Sequence, residues 1–262
     1  MKISIHNWMR AETIEETVNR IAKLGYDSLE IQGSPELYDT KKVKRLLDDA
    51  GISCWGSVTL MLELRNLLAK DNKQRADSVQ YVKDVVRMVA ELDGHMVSVV
   101  PSTVGKILPE GKPAEDWKYA VDSMKQVYEY AESVGILLGI EPINRFETYF
   151  INRGDQALAL AKEVGPKCGV CLAIRRAKGK LIGFHVADNN RMAPGMGKLD
   201  WASIVKTLGE IGYNDVLSVE FCSPLDRTPA NPYPNSIDES PKGLSPEQKK
   251  FLEDHGSSAV TD

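Results

Sequence analysis

The sequence is short of several things, and each shortage removes a class of function. No apolar run in its 262 residues approaches the roughly 20 residues that a membrane span needs. The opening Met1-Lys2-Ile3-Ser4-Ile5-His6 is too short and too polar for a signal peptide. It reads as a first strand, and the protein is expected to be cytoplasmic. Positive charge is not in surplus: 33 Lys and Arg face 37 Asp and Glu, a net charge of −4. A nucleic-acid binder would carry a basic stripe instead, although small anionic substrates stay open. No glycine-rich turn follows the first strand, which weakens a dinucleotide-binding reading. Cysteine is scarce, at four. Cys168 and Cys171 form a C-x-x-C inside an apolar run, where residues three apart along a strand point to opposite faces. They are expected to be buried and structural, as free cysteines commonly are.

What is present is a repeated unit. An amphipathic helix, a glycine just past its end and an apolar strand recur at Gly25, Gly51, Gly135, Gly165 and Gly212. Glycine suits the left-handed position that terminates a helix. Ile14, Val18, Ile21 and Ala22 share one helical face, as do Val43, Leu46, Leu47 and Ala50. The same period links Val79, Val82, Val86 and Val89, and then Trp117, Val121, Met124, Val127 and Ala131. Strands are expected near 2–6, 28–32, 53–58, 96–100, 137–141, 168–172, 181–186 and 216–220. Strands that alternate with helices make a parallel sheet, and eight of them favour a closed (β/α)8 TIM barrel over residues 1–222. Two units are incomplete. Only Ala173 to Lys180 lie between strands six and seven, whereas a full crossover takes at least about 10–12 residues. The segment 223–262 holds six of the 13 prolines and offers no closing eighth helix. It is expected to be an extension packing on or near the barrel mouth.

Glu141, His185 and Glu220 stand at the downstream ends of strands five, seven and eight. Active sites of such barrels lie at that end. A lone glutamate there is most often a solvated or salt-bridged residue, but three potential ligands at corresponding positions point to a metal site. Oxygen-rich ligation with one imidazole suits Mn²⁺, Mg²⁺ or Co²⁺ better than a thiolate-bound structural zinc.

Three segments, Glu141-Pro142-Ile143-Asn144-Arg145-Phe146-Glu147, His185-Val186-Ala187-Asp188-Asn189-Asn190-Arg191 and Ser218-Val219-Glu220-Phe221, resemble the ketose 3-epimerases of the D-tagatose/D-psicose type. These belong to the xylose-isomerase-like, sugar phosphate isomerase/epimerase TIM barrels. The resemblance implies that Glu141 and Glu220 bind the metal and act as acid and base, and that His185 is a metal ligand. It further implies that Glu147 and Arg191 contact substrate. The implied reaction is divalent-metal-dependent epimerisation of a ketose at C3 through a cis-enediolate, with Mn²⁺ the expected ion. One carboxylate would remove the C3 proton and the other return one to the opposite face. A homo-oligomer, dimer or tetramer, is the family expectation.

The chain departs from the family's pattern at strand six. An Asp is expected at its end and a His three residues on, but Cys171-Leu172 runs straight into Ala173-Ile174-Arg175-Arg176. Because the flanks match on both sides, the loop and most of a helix read as excised, not diverged. His6 and Trp8 close strand one and are candidates for substrate contact. Asp200 is the expected N-cap of the helix that follows strand seven, and Asn190 to Lys198 resembles a lid. Pro101 to Lys106 lacks the spacing of a phosphate-binding loop. Two other readings share the scaffold. One is a metal-dependent lyase, either an inosose-type dehydratase or the catalytic subunit of a C-glycoside deglycosidase with a small β-rich partner. The other is a barrel that binds sugars without catalysis because one ligand is absent.

Overall fold

The computed structural model describes residues 1–8, 12–109, 111–171, 179–189 and 194–220. Eight parallel strands close on themselves in sequence order. They are β1 (Lys2–His6), β2 (Ser28–Gly33), β3 (Ser53–Thr59), β4 (Met96–Val99), β5 (Leu137–Ile140), β6 (Gly169–Cys171), β7 (Leu181–Val186) and β8 (Val216–Val219). Closure is made where β1 pairs with β8, Ser4 opposite Ser218 and Ile5 opposite Val219.

Helices α1 (Ile14–Lys23), α2 (Thr40–Ala50), α3 (Asn72–Glu91), α4 (Pro113–Ser133) and α5 (Gly154–Val164) follow the first five strands, and α6 (Trp201–Glu210) follows β7. β6 and β7 are separated by residues 172–180, and the expected truncated crossover lies mostly, at 172–178, outside the described residues. The expected extension at 223–262, and any helix in it, lies outside the described residues. No described helix is long and apolar enough to cross a membrane.

Helix starts follow local chemistry. Thr13 and Glu16 form a reciprocal capping box at α1. Asp39, Asp71 and Asp200 accept the N3 amides of α2, α3 and α6. At helix ends the glycine expectation holds at Gly25, Gly51, Gly135 and Gly212, all at positive φ, but fails at Gly165. Gly165 is extended, at φ 175. A side chain there would meet the Tyr128 ring at 2.5 Å, so glycine serves close packing at this position, not a left-handed turn.

Alternation along each strand separates two environments. Ile5, Leu29, Ile31, Val97, Val99, Leu138, Ile140, Cys168 and Val170 join the apolar layer beneath the helices. The intervening residues face the barrel interior. Its floor is Trp55, Met96, Cys171 and Val216. Cys168 and Cys171 thus fall on opposite faces, both buried and free. Above the floor the interior turns polar, with Ser4, His6, Ser28, Glu30, Ser98, His185 and Ser218 all buried.

Candidate active site

The polar interior converges on His185. Its Nδ1 lies 3.0 Å from Glu141 Oε1 and 3.1 Å from Glu220 Oε2. On the other edge of the ring, Nε2 lies 3.0 and 3.1 Å from the two carboxylate oxygens of Glu30. The three residues expected to act together are therefore together. β7 carries His185 inward, while Glu141 and Glu220 sit one residue past β5 and β8. Their amides remain in the ladder, bonded to the carbonyls of Val99 and Val186.

Further residues hold this cluster. Ser98 Oγ donates to Glu141 Oε2 at 2.6 Å, leaving Oε1 toward His185. Ser218 Oγ donates to Glu30 Oε2. His6 Nε2 lies 3.0 Å from the same Glu30 oxygen, but out of line, and neither of its ring nitrogens has a hydrogen-bond partner among the described residues. The rings of His6 and His185 are 5.3 Å apart between centroids, and Trp8 meets His6 edge-on at 5.8 Å. His6 is thus a buried member of the cluster, and Trp8, half-buried, stands beside it.

Glu30 carried no expected role, yet it is fully buried and touches both histidines. Its signal in the sequence is the alternation Ser28-Leu29-Glu30-Ile31-Gln32. A glutamate in a barrel strand that is covered on both faces needs a partner.

The remaining expected residues divide. Glu147 is half-buried on the loop after β5, where its carboxylate accepts from Asn144 Nδ2 and its carbonyl from Gly105. Arg191 lies outside the described residues, as does part of the expected lid. Asp188 organises the loop after β7, accepting from the amides of Asn189, Gly195 and Leu199 and from Trp201 Nε1. Asp200 caps α6 as expected, accepting from Ser203 N at 3.0 Å.

Electrostatics follow from burial and neighbours. Burial by itself would push His185 toward the neutral form, but Glu30, Glu141 and Glu220 together outweigh it and raise its pKa well above the usual value. Burial dominates at His6 and lowers it to about 4 in spite of Glu30. Burial would raise Glu30 and Glu141, but the adjacent imidazoles reverse this, and Glu30 falls to about 2.

The donor set fits a divalent cation. Two carboxylate oxygens crowd one nitrogen, Nδ1, that could offer at most a single proton. With a cation at Nδ1 and Nε2–H donated to Glu30, the site would take the carboxylate–histidine–metal arrangement. Three carboxylates beside one imidazolium sum to −2, and beside a divalent ion with neutral His185 to −1. His6, His185 and Glu220 each place a ligand atom within 4.8 Å of the others. The structure thus contains a possible His/Glu metal site.

Comparison with known proteins gives this geometry a context. A model of the xylose isomerase-like TIM barrel family matches residues 18–247. The chain belongs to this family. D-psicose 3-epimerase of Ruminiclostridium cellulolyticum is 27% identical over 229 residues, 78% of this chain and 76% of that protein. L-ribulose 3-epimerase of Mesorhizobium japonicum is 25% identical over 84% of this chain and 80% of its own length. A solved structure of D-psicose 3-epimerase with D-tagatose, from Clostridium cellulolyticum, superposes with a TM-score of 0.80 at 25% identity, over 95% of this chain and 94% of that one. By this kinship the chain, a member of the xylose isomerase-like barrels, is an enzyme of the isomerase class.

Proposed function

We propose that the protein is a divalent-metal-dependent epimerase that inverts C3 of a small ketose. The observation that carries this reading is the placement of Glu141 and Glu220. They follow β5 and β8, two strands before and one strand after β7, and converge, at 3.0 and 3.1 Å, on one nitrogen of His185. Epimerisation needs two proton-transfer groups that reach opposite faces of one carbon, together with a means of acidifying its C–H bond.

Glu141, His185 and Glu220 would hold the ion, with Mn²⁺ favoured and Co²⁺ or Mg²⁺ compatible with the same oxygen-rich set. When bound, the ion supplies Lewis-acid polarisation of the ketose oxygens. The protein supplies the rest. Glu141, with Oε2 held by Ser98, turns Oε1 toward His185 and the site. It takes the C3 proton from one side, and Glu220 delivers a proton from the other, giving the inverted centre after an enediolate intermediate. The reverse reaction exchanges their roles. Glu30 keeps the proton of His185 on Nε2. The nearby imidazole and the hydrogen bond from Ser98 hold Glu141 ionised as the base, while Glu220 enters the cycle protonated and leaves it ionised as Glu141 becomes protonated. Trp8, at the mouth, and Glu147 and Arg191, on the loops after β5 and β7, are assigned to substrate contact.

The test is incubation of Mn²⁺-loaded protein with D-fructose, D-tagatose and L-ribulose in D₂O, followed by NMR. The expected result is the C3 epimer of at least one ketose, with deuterium at C3. Absence of both epimer and deuterium for all three would overturn the reading. An elimination product in place of an epimer would move it to the lyase alternative.

A further inference from the structure

We propose that His6 is the fourth protein ligand of the active-site ion, replacing the strand-six ligand that this chain lacks. The inference rests on the metal-dependent reading above and adds a residue to it.

Strand six cannot supply a hard ligand. From Cys168 to Lys180 the sequence is Cys-Gly-Val-Cys-Leu-Ala-Ile-Arg-Arg-Ala-Lys-Gly-Lys, with no carboxylate and no imidazole. The two thiols do not substitute. Cys168 is in the apolar layer under the helices, and Cys171 packs on the barrel floor against Trp55 and Met96. Oxygen- and imidazole-preferring ions would not recruit them. Glu141, His185 and Glu220 alone leave the protein contribution one donor short of the four that the family resemblance implies.

β1 supplies one from the opposite direction. Its pairing with β8, Ile5 opposite Val219, carries His6 to the strand end beside Glu220. Its pairing with β2 sets His6 opposite Glu30. The side chain points inward and is 1% exposed, yet both ring nitrogens lack a hydrogen-bond partner among the described residues. Nε2 lies 3.0 Å from Glu30 Oε2 without a hydrogen bond between them, and Nδ1 has no hydrogen-bond partner among the described residues. A buried imidazole in that state is costly unless a further partner binds it. Its ligand atom is within 4.8 Å of those of His185 and Glu220. Around an ion with bonds of ~2.1 Å, octahedral ligand atoms stand roughly 3–4.2 Å apart, so small side-chain rotations bring the three together. Glu30 then has a double role: it orients His185 through Nε2 and places a negative charge 3.0 Å from His6 Nε2.

The experiment uses the full chain labelled with ¹⁵N-histidine and loaded with Mn²⁺. Pulsed electron–nuclear double resonance is expected to show two directly bound imidazole nitrogens in the wild type and one in His6→Gln. Titration followed by the free-Mn²⁺ resonance is expected to show at least a tenfold loss of affinity in His6→Gln. Even removal of a residue that merely orients a ligand costs about 10–100-fold. One bound imidazole in the wild type would overturn the proposal, and that measurement stands even if the variant does not fold. So would unchanged Mn²⁺ affinity in a folded His6→Gln. Two bound imidazoles without epimerisation of any ketose would retain the ligand assignment and reject the proposed reaction. Epimerisation with a single bound imidazole would do the reverse.

Discussion

Removing Glu30 should damage both folding and metal binding, and the size of each effect follows from its surroundings. The carboxylate is fully buried and is shared among His185, His6 and Ser218. Unit charges at the 3.0 Å of the Glu30–His185 contact attract by about 5.5 kcal/mol at an effective dielectric of ~20, from 332/(20 × 3.0). Desolvation offsets much of that. Breaking a buried pair by deleting one partner costs about 3–5 kcal/mol because the other charge is left unmatched. Glu30→Ala should therefore lose about 3–5 kcal/mol in urea unfolding of the metal-free protein. Glu30→Gln should lose less, since the amide oxygen can still accept from Nε2. The pH dependence has a definite sign. His185 has a raised folded-state pKa, so its stabilising contribution is complete below its unfolded value near 6.5 and disappears as pH rises through the folded value. Removing the Glu30 charge lowers that folded value and moves the decline to lower pH. His6 acts oppositely: with its pKa lowered to about 4, its contribution is complete above the unfolded value and is lost as pH falls toward 4. In the metal-loaded protein, Glu30→Gln should weaken Mn²⁺ binding by about 10–100-fold through the loosened His185. If Glu30→Ala unfolded within about 1 kcal/mol of the wild type, with the same pH profile, the pairing of Glu30 with His185 would be refuted.

Glu141→Gln and Glu220→Gln should each lower kcat by about 10²–10⁴, and each should still exchange deuterium into only one of the two C3 epimers. Wild-type epimerisation by either variant would remove that residue from the proton-transfer pair. Gly56→Ala should destabilise by at least about 1–3 kcal/mol, because the new Cβ would sit 2.3 Å from the Met96 carbonyl oxygen on β4. An unchanged urea midpoint would contradict that approach. Asp188→Asn should speed amide hydrogen exchange at Gly195 and Leu199, whose N–H groups it accepts at 2.9 and 3.2 Å. The Asp188 pKa is lowered because the bond from Trp201 Nε1, with those from the amides of Asn189, Leu199 and Gly195, outweighs its burial. Wild-type protection should accordingly persist as pH falls through the ordinary carboxylate range and be lost only below it. Equal protection in the variant would refute this account.

The barrel itself was legible because its signals are local. Helical periodicity, a glycine after most helices and eight short apolar runs each report on a few neighbouring residues, and the strands fall within one or two residues of the expected positions. Gly165 shows the limit of that kind of reading. The same residue type in the same place serves a different need, set by Tyr128 from another helix. The site was half legible for a related reason. Glu141, His185 and Glu220 stand at strand ends, where a barrel places its chemistry, so sequence position alone nominated them. Glu30 lies one layer deeper, inside a strand whose outward residues Leu29 and Ile31 are as apolar as a core requires. Its partnership with His185 joins residues 155 positions apart, and only closure of the sheet makes it. His6 was visible as a pocket residue, but the lack of a hydrogen bond to either of its nitrogens depends on ring orientation, which no spacing rule reports. The polar layer below the strand ends therefore has consequences beyond packing. It determines how many carboxylates surround His185, on which nitrogen its proton resides, and which edge of the ring remains open to a cation. A barrel that has lost a strand-six ligand can keep its chemistry if a neighbouring inward position supplies the missing donor, and β1, paired directly with the strand that carries Glu220, is where such a donor would have to arise.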